Sequence, residues 1–159
     1  MKNAIITMTG RFCVAIHTKA APSDQEWDSF LAEIAAANTL PNLCTLVFTD
    51  GGAPSAAQRK RLSEALKGRD IPIAVHSHAL IPRFVNASIA LFNKSIRSYT
   101  PEEFPLAIEY LHITEAERKL LHLEFDKSLK EMGAERLVTL TRALKAAKWT
   151  ETSNTREIR

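Results

Sequence analysis

Asp50, Ser55, His76 and His78 are the residues whose types and spacing could do chemistry in this chain. Asp50 closes the apolar run Thr45-Leu46-Val47-Phe48-Thr49, and Gly51-Gly52-Ala53-Pro54-Ser55 follows it. That order reads as a buried strand, a flexible elbow and a helix that opens with Pro54 and Ser55. Such an elbow directs backbone N–H groups and a hydroxyl at one spot beside an acid. This is where an α/β domain holds an anion, a phosphorylated side chain or a partner. Ser55 is placed to cap the helix, its oxygen accepting from a first-turn N–H, and it is the hydroxyl a kinase could modify. Arg59, four residues on, could reach a phosphate on the same face. Gly51, Gly52 and the amides near Ser55 are expected to form a weak anion site, with Asp50 opposing it.

His76-Ser77-His78 ends a second strand at the same sheet edge, and alternation along an extended chain puts both imidazoles on one side. Zinc wants three or four protein ligands. Asp50 could supply a third from the neighbouring strand end, so a small α/β enzyme or metal-binding protein using Asp50, His76 and His78 is the alternative reading. A polar rim with no chemistry is the simpler one. Ser55 lacks the Gly-x-Ser-x-Gly surroundings that expose a nucleophile, and no Gly-rich phosphate loop of Walker or Rossmann form occurs. No catalytic residue, metal ligand or cofactor is therefore assigned. The binding or regulatory candidates are Asp50, Gly51, Gly52, Ser55, Arg59, His76 and His78. His17, His112 and His122 read as ordinary surface or boundary residues, and Cys13 and Cys44, in apolar strand-like runs, as buried free thiols.

The elements that must position these residues follow from periodicity and punctuation. Ala4 to Met8 and Arg11 to His17 flank Thr9-Gly10 as an antiparallel hairpin. Ser23-Asp24-Gln25-Glu26 has capping-box spacing and opens a helix carrying Trp27, Phe30, Leu31 and Ile34. Leu43 to Thr49 is apolar on both faces, as a central strand requires. A helix over Pro54 to Lys67, a strand over Ile71 to His76, a helix over Pro82 to Phe92 and a brief strand over Ser95 to Tyr99 come next. Thr100-Pro101-Glu102-Glu103 then starts a helix that runs to Leu111. This alternation predicts an α/β fold. Its sheet is mixed and mostly parallel, with five strands, an N-terminal β-hairpin and flanking helices.

Beyond Leu111 the pattern turns helical, with breaks. Thr114-Glu115-Ala116-Glu117 is another capping box, and apolar residues recur through Leu129 before Gly133 interrupts them. Residues 1–113 read as the α/β domain, 114–149 as a C-terminal helical extension and 150–159 as a frayed polar tail. The stripes of the extension need each other, a groove on the domain, or a second chain as in a homodimer. Trp149 is either a docking residue or an exposed anchor for a partner.

With 159 residues, 45% hydrophobic, 25% charged and a net charge of +3, the chain has the composition of a soluble domain. No apolar run is long enough for a membrane span, and the N-terminal run is too short for a secretory signal. The cytoplasm is the expected compartment. The mild basicity does not predict nucleic-acid binding, because Arg59-Lys60-Arg61 point in several directions on a helix.

Three stretches together resemble the STAS superfamily, more closely its SpoIIAA-like branch, over about residues 1–113. They are the elbow Leu46-Val47-Phe48-Thr49-Asp50-Gly51-Gly52-Ala53-Pro54-Ser55, the strand Ile73-Ala74-Val75-His76-Ser77 with a following helix carrying Phe84 and Ile89, and the run from Ile96 to Leu111. The resemblance implies a non-enzymatic regulatory or protein-interaction module of bacterial type, with another protein as partner. Anti-sigma-factor antagonists of this superfamily carry a phosphoserine in an Asp-Ser-Ser-Gly-like elbow. Here Asp50 matches the acidic position, Gly51 and Gly52 fill the serine positions, and Ser55 is displaced along the chain.

Overall fold

The computed structural model describes residues 2–37, 39–66, 69–78 and 95–149. One sheet carries β1 (Ala4–Thr9), β2 (Phe12–His17), β3 (Cys44–Thr49), β4 (Ile73–Ser77) and β5 (Ile96–Tyr99), in the order β1-β2-β3-β4-β5. β1 and β2 are antiparallel from Thr9 opposite Phe12 to Ala4 opposite His17. The remaining neighbours are parallel. The sheet is thus mixed and mostly parallel, with β3 at its centre, as the alternation of elements predicts. The described helices are α1 (Asp24–Ala37), α2 (Ala56–Leu66), α3 (Phe104–Tyr110), α4 (Glu115–Met132) and α5 (Val138–Ala146). The helix expected over Pro82 to Phe92 and the tail 150–159 lie outside the described residues.

Strand order decides where the helices go. The units β2-α1-β3 and β3-α2-β4 step the same way across the sheet, and right-handed crossovers then place both helices on one face. Trp27, Phe30 and Ile34 of α1 pack there with Leu62 and Leu66 of α2, over Cys13 of β2. Among the described helices of residues 1–113, only α3 covers the other face, where Phe12, Val14, Ile16, Leu46 and Phe48 point. Residues 114–149 complete that cover: Leu121 and Phe125 of α4, Leu140 and Leu144 of α5, Leu137 and Trp149 share one core with those strand residues.

Of the partners left open for the stripes of the C-terminal helical segment, the groove on the α/β domain is thus the one that its buried side chains occupy. Leu121, Phe125, Leu137 and Leu140 are at most 1% exposed. Burying such side chains contributes about 1.5–3 kcal/mol each, which together approaches the net stability of a whole domain, about 5–15 kcal/mol. Trp149 is 5% exposed. Its ring lies against Phe104 at 5.1 Å and Phe125 at 5.8 Å, so it docks on its own fold.

β3 is buried more on one side than on the other. Leu46 and Phe48 are 0% and 1% exposed. Val47, facing α1 and α2, is half-buried and lines a cavity of about 70 Å³ with Ala15, His17, Thr45 and Val75.

Arg11, in the hairpin loop, ties the two halves of the chain together. Its Nε donates to Glu117 Oε1 at 2.7 Å, its Nη1 to the Asn42 carbonyl at 3.1 Å and its Nη2 to the Leu111 carbonyl at 2.9 Å. The guanidinium thus neutralises the last carbonyls after α3 and the capping-box carboxylate of α4 together. The hydrogen bond to Glu117 raises the Arg11 pKa, against the opposing effect of burial. Arg11→Ala is expected to cost about 2 kcal/mol, because charge-assisted bonds at a part-buried junction are lost together. Urea unfolding checks this; an unchanged midpoint would show that the clamp contributes nothing.

Candidate functional site

The elbow after β3 holds its shape by satisfying its own backbone. The Asp50 amide donates to the His17 carbonyl at 3.2 Å and the Gly52 amide to the Thr18 carbonyl at 3.0 Å, extending the β2–β3 ladder past the strand ends. Thr49 Oγ1 donates to the Gly52 carbonyl at 2.6 Å and accepts from the Gly51 amide at 3.2 Å. The two glycines serve different needs. Gly51 has φ +127°, a conformation that L side chains rarely adopt. At Gly52 a Cβ would lie 2.2 Å from the Ala20 carbonyl oxygen and 2.7 Å from that of Thr18. Backbone there cannot yield, so only glycine fits.

Asp50 is 5% exposed, and its carboxylate points at α5. Oδ2 accepts from the Val138 amide at 2.8 Å and Oδ1 from the Thr139 amide at 2.7 Å. Leu137, which precedes α5 in the chain, gives it no side-chain cap. Asp50 supplies that cap from a position 88 residues away, placing a negative charge at the positive end of the helix dipole. The sequence reading set Asp50 against an anion at the start of α2. In the structure Asp50 is itself the anion, bound at the start of α5. Sequence spacing carried no signal for this, because the acceptor is remote from the helix that it caps.

Thr139 extends the same cluster. Its hydroxyl donates to the Thr49 carbonyl at 3.1 Å and sits 2.7 Å from His78 Nδ1. Since the hydroxyl proton is committed to Thr49, the hydrogen between Thr139 and His78 comes from the imidazole. His78 Nδ1 also lies 3.5 Å from Asp50 Oδ1. Asp50 and His78, both predicted from sequence, therefore meet; Thr139 was missed.

His76 does not join them at a polar rim. It is 0% exposed and stacks between Phe48, with ring centroids 4.6 Å apart, and Tyr99, at 5.4 Å, with Phe104 edge-on at 5.1 Å. Nδ1 lies 3.1 Å from the Val47 carbonyl. A carbonyl only accepts, so Nδ1 carries the proton, while the buried Nε2 has no hydrogen-bond partner among the described residues. Burial pushes the pKa down to about 4, against the smaller raising effect of the Val47 bond. Strand alternation put His76 and His78 on one side of β4, but it carried no signal for the aromatic rings packed on His76. His17, read as a boundary residue, is also buried at 6% exposure. Burial lowers its pKa to about 4, opposed weakly by the Glu26 carboxylate.

Ser55 caps α2 in a capping box that closes on Gln58. Gln58 N–H donates to Ser55 Oγ at 3.1 Å and Ser55 N–H donates to Gln58 Oε1 at 2.9 Å. Gln58 then bridges to the start of α1, donating from Nε2 to Asp24 Oδ1 at 3.0 Å, while its carbonyl accepts from the Trp27 indole at 2.9 Å. The Ser-x-x-Gln spacing was the available signal for Gln58. Arg59 turns back to donate to the Pro54 carbonyl at 2.8 Å. Gly51, Ala53 and Pro54 remain half-exposed and Ser55 exposed, so the outer rim of the elbow is open.

Among the described residues no group of three His, Cys, Asp or Glu side chains is placed to hold a metal ion. Cys13 and Cys44 are free and buried. Burial, the main cause, holds their thiols protonated, with pKa values of about 12 and about 11. No described helix is long and apolar enough to cross a membrane. Compared with known proteins, the chain matches no family model, no curated protein and no solved structure.

Proposed function

We propose that this chain is a non-catalytic regulatory or protein-interaction module of the STAS/SpoIIAA-like kind, acting in the cytoplasm. Its contacts with another protein, or with an anionic group on that protein, centre on the rim of the elbow from Asp50 to Ser55. One observation carries the reading: the reactive groups at this edge of the sheet are spent on structure. Asp50 holds the start of α5, Ser55 closes on Gln58, and His76 is sealed in an aromatic stack. What the edge offers to another molecule is shape, in the form of Gly51, Ala53, Pro54 and Ser55 on a backbone held rigid from beneath. A rigid rim of small residues suits recognition by a partner that supplies the larger side chains. His78 and Arg59 flank it and give the rim its polar edges.

A photo-crosslinking amino acid placed at Ala53, and separately at Leu40 on the opposite end of β3, tests this in cells. One predominant crosslinked protein through Ala53 and none through Leu40 is expected. Equal labelling from both positions, or none from Ala53, overturns the reading.

A further inference from the structure

The cavity beneath the elbow runs along β3, between the sheet and the helices α1 and α2. Thr45 and Thr49 both line it, and the strand between them spans about 13 Å. A volume of about 70 Å³ over that length makes the cavity narrow. Trp27, Phe30 and Leu62 give it an apolar wall on the helix side. His17 lines it as well and stands opposite Thr49 in the β2–β3 register, so the imidazole lies at the elbow end. Its Nδ1 is buried without a hydrogen-bond partner among the described residues. The Thr49 hydroxyl beside it is engaged with the Gly52 carbonyl and the Gly51 amide. An unpaired nitrogen in such a place is costly. Water is a poor remedy in a wall this apolar, because a buried water needs about three polar partners. Ala53 and Pro54 line the same cavity and are half-exposed, so the elbow is what separates it from solvent.

We propose that this cavity binds a small neutral alcohol with an unbranched alkyl chain, its hydroxyl bonded to His17 and its chain lying past Val47 toward Thr45. Chemistry selects each part of that ligand. Burial holds the His17 pKa at about 4, so the imidazole is neutral at neutral pH and offers one donor and one acceptor. A hydroxyl both donates and accepts, and so pairs with either ring nitrogen in either tautomer. A carboxylate would bring a charge among apolar side chains with no cation to meet it. The cavity is roughly half the size of one that holds benzene, which limits the ligand to about three to five heavy atoms. Its narrow form disfavours branched chains. Binding here does not depend on protein recognition at the outer rim of the elbow.

Titration of the full chain at neutral pH with 1-butanol, tert-butanol and butyrate, read by nuclear magnetic resonance, tests the site. The alcohol 1-butanol should shift the Val47, Val75 and Leu62 methyl signals and the His17 ring signals saturably. Its Kd should fall in the millimolar range that so small a molecule reaches. The methyl signals of Leu140, in the core on the other face of the sheet, should stay fixed. Both tert-butanol and butyrate should bind at least about tenfold more weakly. His17→Leu should weaken 1-butanol about fivefold, and Ala15→Val, which fills the middle of the cavity, should abolish its binding. Circular dichroism shows whether each variant is folded. Absence of any saturable shift would leave water alone in the cavity and overturn the proposal. So would Leu140 signals that move with those of Val47, or tert-butanol or butyrate binding as tightly as 1-butanol. A folded His17→Leu or Ala15→Val protein that binds 1-butanol as the unaltered chain does would overturn it too.

Discussion

Acidification from pH 6.5 to 4 is expected to remove about 6 kcal/mol of stability through two histidines alone. His17 and His76 are buried and neutral in the native fold, each with a pKa lowered from 6.5 to about 4. The unfolded chain takes up protons at both residues as the pH falls through 6.5, while the native fold resists until about 4. Their contribution is therefore complete above pH 6.5, declines between 6.5 and 4, and changes no further below that. Each shift corresponds to about 3 kcal/mol, so the pair represents a large share of the net stability of a domain, about 5–15 kcal/mol. The melting temperature should fall on the order of 20 °C across this window. His76→Phe, which keeps a ring between Phe48 and Tyr99, should reduce the acid sensitivity by about half, whatever it does to stability at neutral pH. Melting curves at half-unit pH steps measure both. A flat profile between pH 6.5 and 4.5 would show that neither imidazole is sealed from solvent.

Asp50→Ala is expected to destabilise the fold by about 3 kcal/mol, lowering the melting temperature by about 10 °C. The substitution leaves the Val138 and Thr139 amides without an acceptor at a helix end where Thr139 is 1% exposed. The loss exceeds that of an ordinary solvent-exposed cap because water cannot replace the carboxylate there. Asp50→Asn keeps one carbonyl oxygen for the two amides and should cost roughly half as much. Hydrogen exchange locates the effect: amides in the first turn of α5 should lose protection first, ahead of those in β3. An Asp50→Ala protein with unchanged melting and unchanged exchange in α5 would free Asp50 from this structural role and return it to the list of groups available for chemistry.

Asp50 and His76 were first singled out for their chemistry, and the fold has put both to structural use. Proximity at the sheet edge was legible from strand order and alternation: Asp50 and His78 do meet. What they face was not legible, because α5 arrives from the far end of the chain.

By itself the sequence determined the local elements and their inward sides. Capping boxes at Ser23, Thr100 and Thr114 start helices where their spacing says, since the groups involved are three residues apart and need no tertiary partner. The hairpin, the parallel strands and the central place of β3 follow from short-range pattern and chain handedness. Tertiary structure alone decided which face each helix covers, and so whether residues 114–149 stand apart or close the core. It decided that Arg11 meets Glu117, that Asp50 caps α5 and that His76 lies beneath Phe104. The physical reason is one of range. Periodicity reports which side of an element is apolar, but apolar sides are interchangeable as partners. The choice among them rests on the direction in which successive crossovers step across the sheet, and the polar contacts of remote segments follow from that choice.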